Sequence, residues 1–285
     1  MSGDSLKDAA ISGAGRTAGR GNIAPLGGAL LAADGTLRCR FEIKYQISEL
    51  KAAAVEKYIQ PYLHLDRYCK LQPTGSYPIV SLYLDSADLK LCRESLTGKK
   101  NRFKLRIRGY NDDPGYPKFF EIKRRLNTTI IKDRQRVSHR DVERLLSGGA
   151  LPEQYYSTEQ ESLKQFLFYL NCMKARPLIQ VQYTRRAYEG DSENRVRVTF
   201  DRKLCFRICD KPTVTLGGPG WQRHPFNCVI LEIKFTSLFP AWLTRMVRCL
   251  ELQQQSFSKY ANCVIGASAL KFGAVRTING YNGTE

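Results

Sequence analysis

Apolar and charged residues alternate with period two in at least five stretches of the chain. Each stretch therefore reads as a β-strand with one apolar and one charged face. The fullest case is 103–125, FKLRIRGYNDDPGYPKFFEIKRR. Phe103, Leu105 and Ile107 share one face, and Lys104, Arg106 and Arg108 the other. After a turn of Asn111, Asp112, Asp113, Pro114 and Gly115, Phe120 and Ile122 oppose Glu121, Lys123 and Arg125. These turn residues favour reversal through side-chain-to-backbone bonds, a fixed φ and free access to positive φ. The pattern predicts a hairpin that is apolar on one side and cationic on the other.

The same habit marks 40–47 (RFEIKYQI), 128–137 (TTIIKDRQRV), 178–188, 195–200 (RVRVTF) and 229–235 (VILEIKF), and 77–86 (YPIVSLYLDS) is a further strand. Between them lie helical segments. Ser48 suits an N-cap for a helix to Ile59, and Ser86 for a short helix ending near Gly98. Ser138 with Asp141 resembles a capping box for a helix that stops at Gly148. Residues 158–174 place Leu163, Phe166, Leu167 and Leu170 near helical spacing, 239–255 is helical, and 256–260 opens or continues a helix. Residues 216–226, with their glycines and prolines, read as a loop.

One triplet recurs. Glu-Ile-Lys stands at 42–44, 121–123 and 232–234, each time inside a strand, so Glu and Lys share a face and Ile points away. The spacing is irregular, which excludes a solenoid.

A charged strand face has two readings: a face turned to water, or the lining of a concave site for a polyanion. The repetition favours the second. If the helices cover the apolar faces, the charged faces turn inward, and a sheet closed on itself places them in a lumen. Like charges in such a space repel strongly unless a polyanion, with a metal ion, occupies it.

Composition agrees. The 285 residues carry 45 Lys and Arg against 27 Asp and Glu, a formal charge of +18. Between Arg102 and Arg136 the balance is eleven to four. Such a field attracts nucleic acid, anionic membrane or phosphorylated molecules. Phe41, Phe103 and Phe120 fall on the face opposite the cations, which argues against a stacking platform for single-stranded nucleic acid. The nine cysteines are irregularly spaced and form no C-x-x-C pair. They read as buried, reduced thiols in a cytoplasmic protein. The apolar run 23–33 is too short and too interrupted by Pro25, Gly27 and Gly28 for a membrane span. The organisation expected is a flexible tail at 1–37, one domain at 38–272 and a loose end at 273–285.

The succession RFEIKY, SLYLDS, KLRIRGY, FFEIKRR, RVRVTFD, LEIKF and SKY resembles the VTC domain, the polyphosphate polymerase module of the triphosphate tunnel family, across about 38–265. The resemblance implies an α+β fold: an antiparallel closed β-barrel of about eight strands, with helices packed outside and a basic tunnel within. It implies ATP or triphosphate bound there with a divalent metal, Mn or Mg, and transfer of the terminal phosphoryl group to polyphosphate. Carried over by position, Lys44, Arg106, Arg108, Lys123 and Lys259 are the catalytic candidates. Arg136, Arg185 and Arg197 are candidates for binding the phosphates, and Glu232 for holding the metal. The residue types suit the reaction, because phosphoryl transfer needs positioning and charge neutralisation more than a covalent catalyst. Arg40 stands where the hydrolytic branch of the family has the first Glu of E-x-E-x-K, which favours polymerase over triphosphatase. Hydrolysis of triphosphate or nucleotide, and polyphosphate binding without turnover, remain the alternatives. The expected partners are ATP and inorganic polyphosphate or triphosphate, with no specific nucleic acid and no membrane span.

Overall fold

The computed structural model describes residues 41–269 except 128, 157–160, 192–195 and 237. The expected tails, Arg40 and Cys39 lie outside the described residues. In chain order the elements are β1 (Phe41–Ile47), α1 (Glu49–Ile59), β2 (His64–Leu65), α2 (Arg67–Lys70), β3 (Tyr77–Asp85), α3 (Lys90–Leu96), β4 (Asn101–Gly109), β5 (Lys118–Leu126), β6 (Thr129–Val137), α4 (Asp141–Leu146), α5 (Glu161–Cys172), β7 (Arg176–Glu189), β8 (Val196–Ile208), β9 (Gln222–Arg223), β10 (Val229–Phe235), α6 (Ala241–Cys249) and α7 (Lys259–Ala269).

The strands form one antiparallel sheet in the order β1-β10-β8-β7-β3-β4-β5-β6, with β2 on β7 and β9 on β8. The class is α+β, but the closed barrel expected from the sequence is not formed. Among the described residues no ladder joins β1 to β6, so the sheet has ten strands and an open seam. The cause lies partly on the outer edge of β1. Tyr45 bridges to Gln254, and the Gln255 amide donates to the Lys44 carbonyl at 2.9 Å, so the chain before α7 occupies that edge. Across the seam the sheet is joined by a side-chain pair instead, Lys123 Nζ to Glu42 at 3.2 Å.

Two apolar clusters cover the outer face, as the alternation predicts. Ala52, Val55 and Ile59 of α1, with Trp242, Leu243 and Met246 of α6, pack on Val198, Phe200, Leu231 and Ile233. Val142 and Leu145 of α4, with Leu163, Phe166 and Leu170 of α5, pack on Leu82, Leu84, Leu105, Ile107, Phe120 and Ile122. Burying such side chains contributes roughly 1.5–3 kcal/mol each. Among the caps, Ser48 Oγ accepts from the Lys51 amide at 3.2 Å as expected. Ser138 does not cap α4: its amide donates to the Tyr155 hydroxyl, which in turn donates to Asp141.

Helix α7 departs from the expectation that all helices pack outside. Its Tyr260, Ala261, Cys263, Val264 and Ala267 lie against Ile79, Tyr83, Ile179, Val181, Tyr183, Phe206 and Ile230. These strand residues share the face of Arg106, Arg185 and Glu232. The concave face is therefore half apolar, and α7 fills that half. A bulge prepares the surface. Lys203 adopts φ of 55°, and the β7–β8 register slips by one residue between Gln182 and Thr184. Past the bulge, Leu204 and Phe206 take the face held before it by Thr199 and Asp201. Asp85 ties the helix down: it accepts from the Leu91 and Cys92 amides of α3 and from the Tyr260 hydroxyl. Burial pushes its carboxyl upward against those bonds.

Among the described residues eight cysteines are free thiols. Three are buried, but Cys172 and Cys249 are exposed, so the expectation of buried thiols holds only in part. No helix among the described residues is long and apolar enough to cross a membrane.

Candidate functional site

The three Glu-Ile-Lys triplets converge on the other half of the concave face. β1 and β10 are antiparallel neighbours, so Lys44 lies opposite Glu232, Glu42 opposite Lys234, and Ile43 opposite Ile233. With Ile opposite Ile, antiparallel pairing of two such triplets sets each Glu against a Lys, a favourable cross-strand arrangement. The third triplet, on β5, meets the first across the seam through Lys123 and Glu42.

The first cluster centres on Glu232. Its Oε1 accepts from Lys259 Nζ at 2.9 Å and lies 3.4 Å from Lys44, while Oε2 lies 3.6 Å from Lys234 and 3.8 Å from Arg185. Asp201 beside it receives a bidentate fork from Arg185 at 2.7 and 2.8 Å, and Lys259 at 2.6 Å. Glu42 contacts Lys44 at 3.1 Å. Burial opposes ionisation of Glu232, but Lys259, Lys44 and Lys234 override it and hold the carboxyl well below the ordinary range. Burial likewise disfavours the Lys259 ammonium, but Asp201 and Glu232 outweigh it and raise the group above its usual value.

The second cluster centres on Glu121, which has no exposed surface. In register, Arg106 of β4 and Arg134 of β6 flank it. Arg106 donates to Oε2 at 2.7 Å, and Arg108 lies at 3.9 Å. Lys132 and Arg134 stand 3.1 and 3.3 Å from Oε1, close enough for ion pairing but without hydrogen-bond alignment. Four cations thus share one carboxylate. Burial works against its ionisation, and the four cations, Arg106 foremost, keep it well below the ordinary range.

Each of three arginines here also meets a tyrosine hydroxyl: Arg106 donates to Tyr83 at 3.3 Å, Arg108 to Tyr183 at 3.4 Å, and Arg134 to Tyr110 at 3.2 Å. Arg134 also lies over the Phe119 ring at 3.7 Å. Aromatic rings therefore do line the charged face, contrary to what Phe41, Phe103 and Phe120 suggest. Burial raises Tyr110, yet Arg134 and Arg108 prevail and bring its phenol down to about 8.

Lys104 lies where the two clusters meet. Its ammonium donates to Ser258 Oγ at 2.8 Å, at the start of α7. Burial, then Lys44, Lys123, Arg102 and Arg106, push it well below the ordinary lysine value. Burial also lowers Lys123 to about 8, with Glu42 opposing.

Seven of the nine sequence-derived candidates come together here: Lys44, Arg106, Arg108, Lys123, Arg185, Glu232 and Lys259. Two stand apart. Arg197 is bound by Asp66 at 2.6 Å and Glu189 at 2.9 Å, and Asp66 also caps α2 through the Cys69 amide. Arg136 shares the β6 face with Lys132 and Arg134 but is exposed at its outer end. Strand parity already pointed to Glu42, Lys104, Glu121, Lys132 and Arg134, although they were not singled out as site residues. Asp201 and the three tyrosines needed the sheet order.

A divalent metal against Glu232 meets an unsuitable donor set. Among the described residues no three carboxylates, histidines or cysteines gather to hold an ion. Lys44, Arg185, Lys234 and Lys259 surround the Glu232 oxygens and would repel it. The described residues do not fit a resident metal.

Comparison with known proteins adds the following. The family model of the VTC domain matches residues 39–266. No curated protein matches the chain. Among solved structures it is similar to a "putative adenylate cyclase" from Bacillus halodurans, with 13% identity, 76% of this chain and 92% of that one covered, and a TM-score of 0.46. It is also similar to a Pyrococcus horikoshii protein, with 13% identity, coverages of 79% and 98%, and a TM-score of 0.38. A third is a "putative adenylate cyclase" from Vibrio parahaemolyticus, with 11% identity, coverages of 78% and 96%, and a TM-score of 0.39.

Proposed function

The chain belongs to the VTC domain family, and from that premise we propose that its concave face binds the triphosphate of ATP and passes the terminal phosphoryl group to a polyphosphate chain. The observation that carries this reading is the charge imbalance around Glu121. One buried carboxylate cannot neutralise Arg106, Arg108, Lys132 and Arg134, and among the described residues no carboxylate pairs with neighbouring Lys104. A polyanion supplies the missing charge.

The arginine forks suit non-bridging phosphate oxygens, and Tyr83, Tyr110 and Tyr183 hold those forks in place before anything binds. Lys123 and Lys44 stand where charge moves between donor and acceptor phosphates. Their role is neutralisation rather than covalent chemistry. In this reading the divalent cation, Mn or Mg, arrives with the phosphates as part of the substrate, and no step passes through an ion held by Glu232.

Incubation of the protein with ATP and Mn²⁺, followed by gel analysis, tests the reading: a ladder of polyphosphate is expected. Phosphate release without chain growth would assign hydrolysis instead. The engagement of Glu232 by four cations favours one second reading, a polyphosphate-binding module without turnover. Binding that persists in EDTA with no product from ATP selects it.

A further inference from the structure

A lateral cavity of about 330 Å³ opens beside the outer end of β6. Its walls include Tyr116, Pro117, Arg136, His139, Gln154 and Tyr155. The lining differs in kind from the cation clusters: rings, prolines and an amide surround it, and Arg136 carries its formal charge. His139 Nδ1 is buried without a hydrogen-bond partner. Burial, then the nearby Lys118, lower its basicity below that of a free imidazole. The rest of the frame is already braced. Gln154 Nε2 donates to Asp141 at 2.9 Å, which leaves its carbonyl oxygen to accept, and the Tyr155 hydroxyl donates to the same carboxylate at 2.8 Å.

The cavity adjoins the phosphate row through one strand. Arg136 shares a β6 face with Arg134 and Lys132, both of which touch Glu121. Two residues along a strand span about 7 Å, roughly the reach of a ribose beyond its last phosphate.

We propose that this cavity holds the base of a nucleotide whose phosphates lie along Lys132 and Arg134, so that the site selects a nucleoside triphosphate over a base-free triphosphate. The inference rests on the triphosphate reading above and adds the donor's other end. The Tyr116 ring and the Arg136 guanidinium supply faces for a planar heterocycle, and the buried Tyr155 forms the floor. The exposed Gln154 carbonyl supplies a polar edge, and the His139 imidazole forms part of the wall beside it.

Calorimetry with ATP and with ribose 5-triphosphate, which carries the same phosphates and no base, tests this. The wild type is expected to bind ATP about tenfold more tightly, as one stacked base is worth. His139→Leu, and Ser138→Trp at the rim, should each abolish that preference and leave ribose 5-triphosphate within about twofold. Photolabelling with 8-azido-ATP should mark 114–117 or 136–139. Equal wild-type affinities, an ATP preference that survives both variants, or a label in another segment overturns the proposal. If neither ligand binds, the triphosphate reading falls as well. If both bind equally, only the base pocket falls.

Discussion

Glu121 and Glu232 each open a Glu-Ile-Lys triplet, both are buried, and each contacts four cations, yet their surroundings carry different charge. Around Glu232, Asp201 and Glu42 share Arg185, Lys259 and Lys44, so much of the positive charge is balanced within the protein. Around Glu121, β4 and β6 contribute Arg106, Arg108, Lys132 and Arg134, and among the described residues no second carboxylate joins them. The same three residues thus build a self-neutralised junction in one place and a surplus of positive charge in the other. What decides is the register partner. β1 and β10 bring triplet against triplet, whereas β5 lies between two cationic strands.

The largest expected effect tests that asymmetry through stability. Glu121→Gln leaves four cations facing one another in the interior and should cost about 3–5 kcal/mol of unfolding free energy. Glu232→Gln should cost less, because Asp201 and Glu42 remain. Denaturant titration measures both. Saturating tripolyphosphate should restore part of the Glu121→Gln loss, since it binds the folded state and replaces the missing charge. Equal losses in the two variants would break the comparison.

Affinity gives the next effect. Arg106→Ala should weaken tripolyphosphate binding more than tenfold, as the loss of one charge-assisted fork commonly does. Lys44→Ala should weaken it only about threefold, because Glu42 and Glu232 already neutralise that lysine. Isothermal titration of both variants checks the ranking, and its reversal would move the receptor to the Glu232 side.

A pH series sharpens the picture at the seam. Lys123 titrates near 8 because burial disfavours its charge. A bound polyanion favours the charged form, so tripolyphosphate affinity should fall as pH rises from 7 to 9. Stability moves the other way. The unfolded lysine, with its higher pKa, binds more protons above 8, so this group's destabilising contribution lifts as pH rises from 8 toward its unfolded value. Tyr110, also near 8, gains negative charge over the same range and weakens anion binding in the same direction. Lys123→Met and Tyr110→Phe should each remove part of the fall, and binding that stays flat from pH 7 to 9 in the wild type would contradict both assignments.

The smallest effect concerns Arg197. Asp66 and Glu189 hold it away from both clusters, so Arg197→Ala should lower the melting temperature by a few degrees and leave tripolyphosphate affinity within about twofold. A tenfold loss of affinity would return it to the phosphate-binding set.

Period-two alternation by itself determined which side chains of each strand go to water or ligand and which go under the helices. A strand offers only two faces, and local pattern assigns them. It therefore placed Lys44, Arg106, Arg108, Lys123 and Glu232 on one surface before any fold was known. Parity could not foresee the bulge at Lys203, which exchanges the faces of β8 and makes the bed for α7. Nor could it show that the chain at 254–255 would take the free edge of β1 and leave the sheet open where a closed barrel was expected. The pairing of Glu121 with arginines from two different strands, and of Glu232 with lysines from β1 and α7, was likewise decided only by tertiary structure. These contacts join residues up to about two hundred positions apart, and no local rule reaches across that distance.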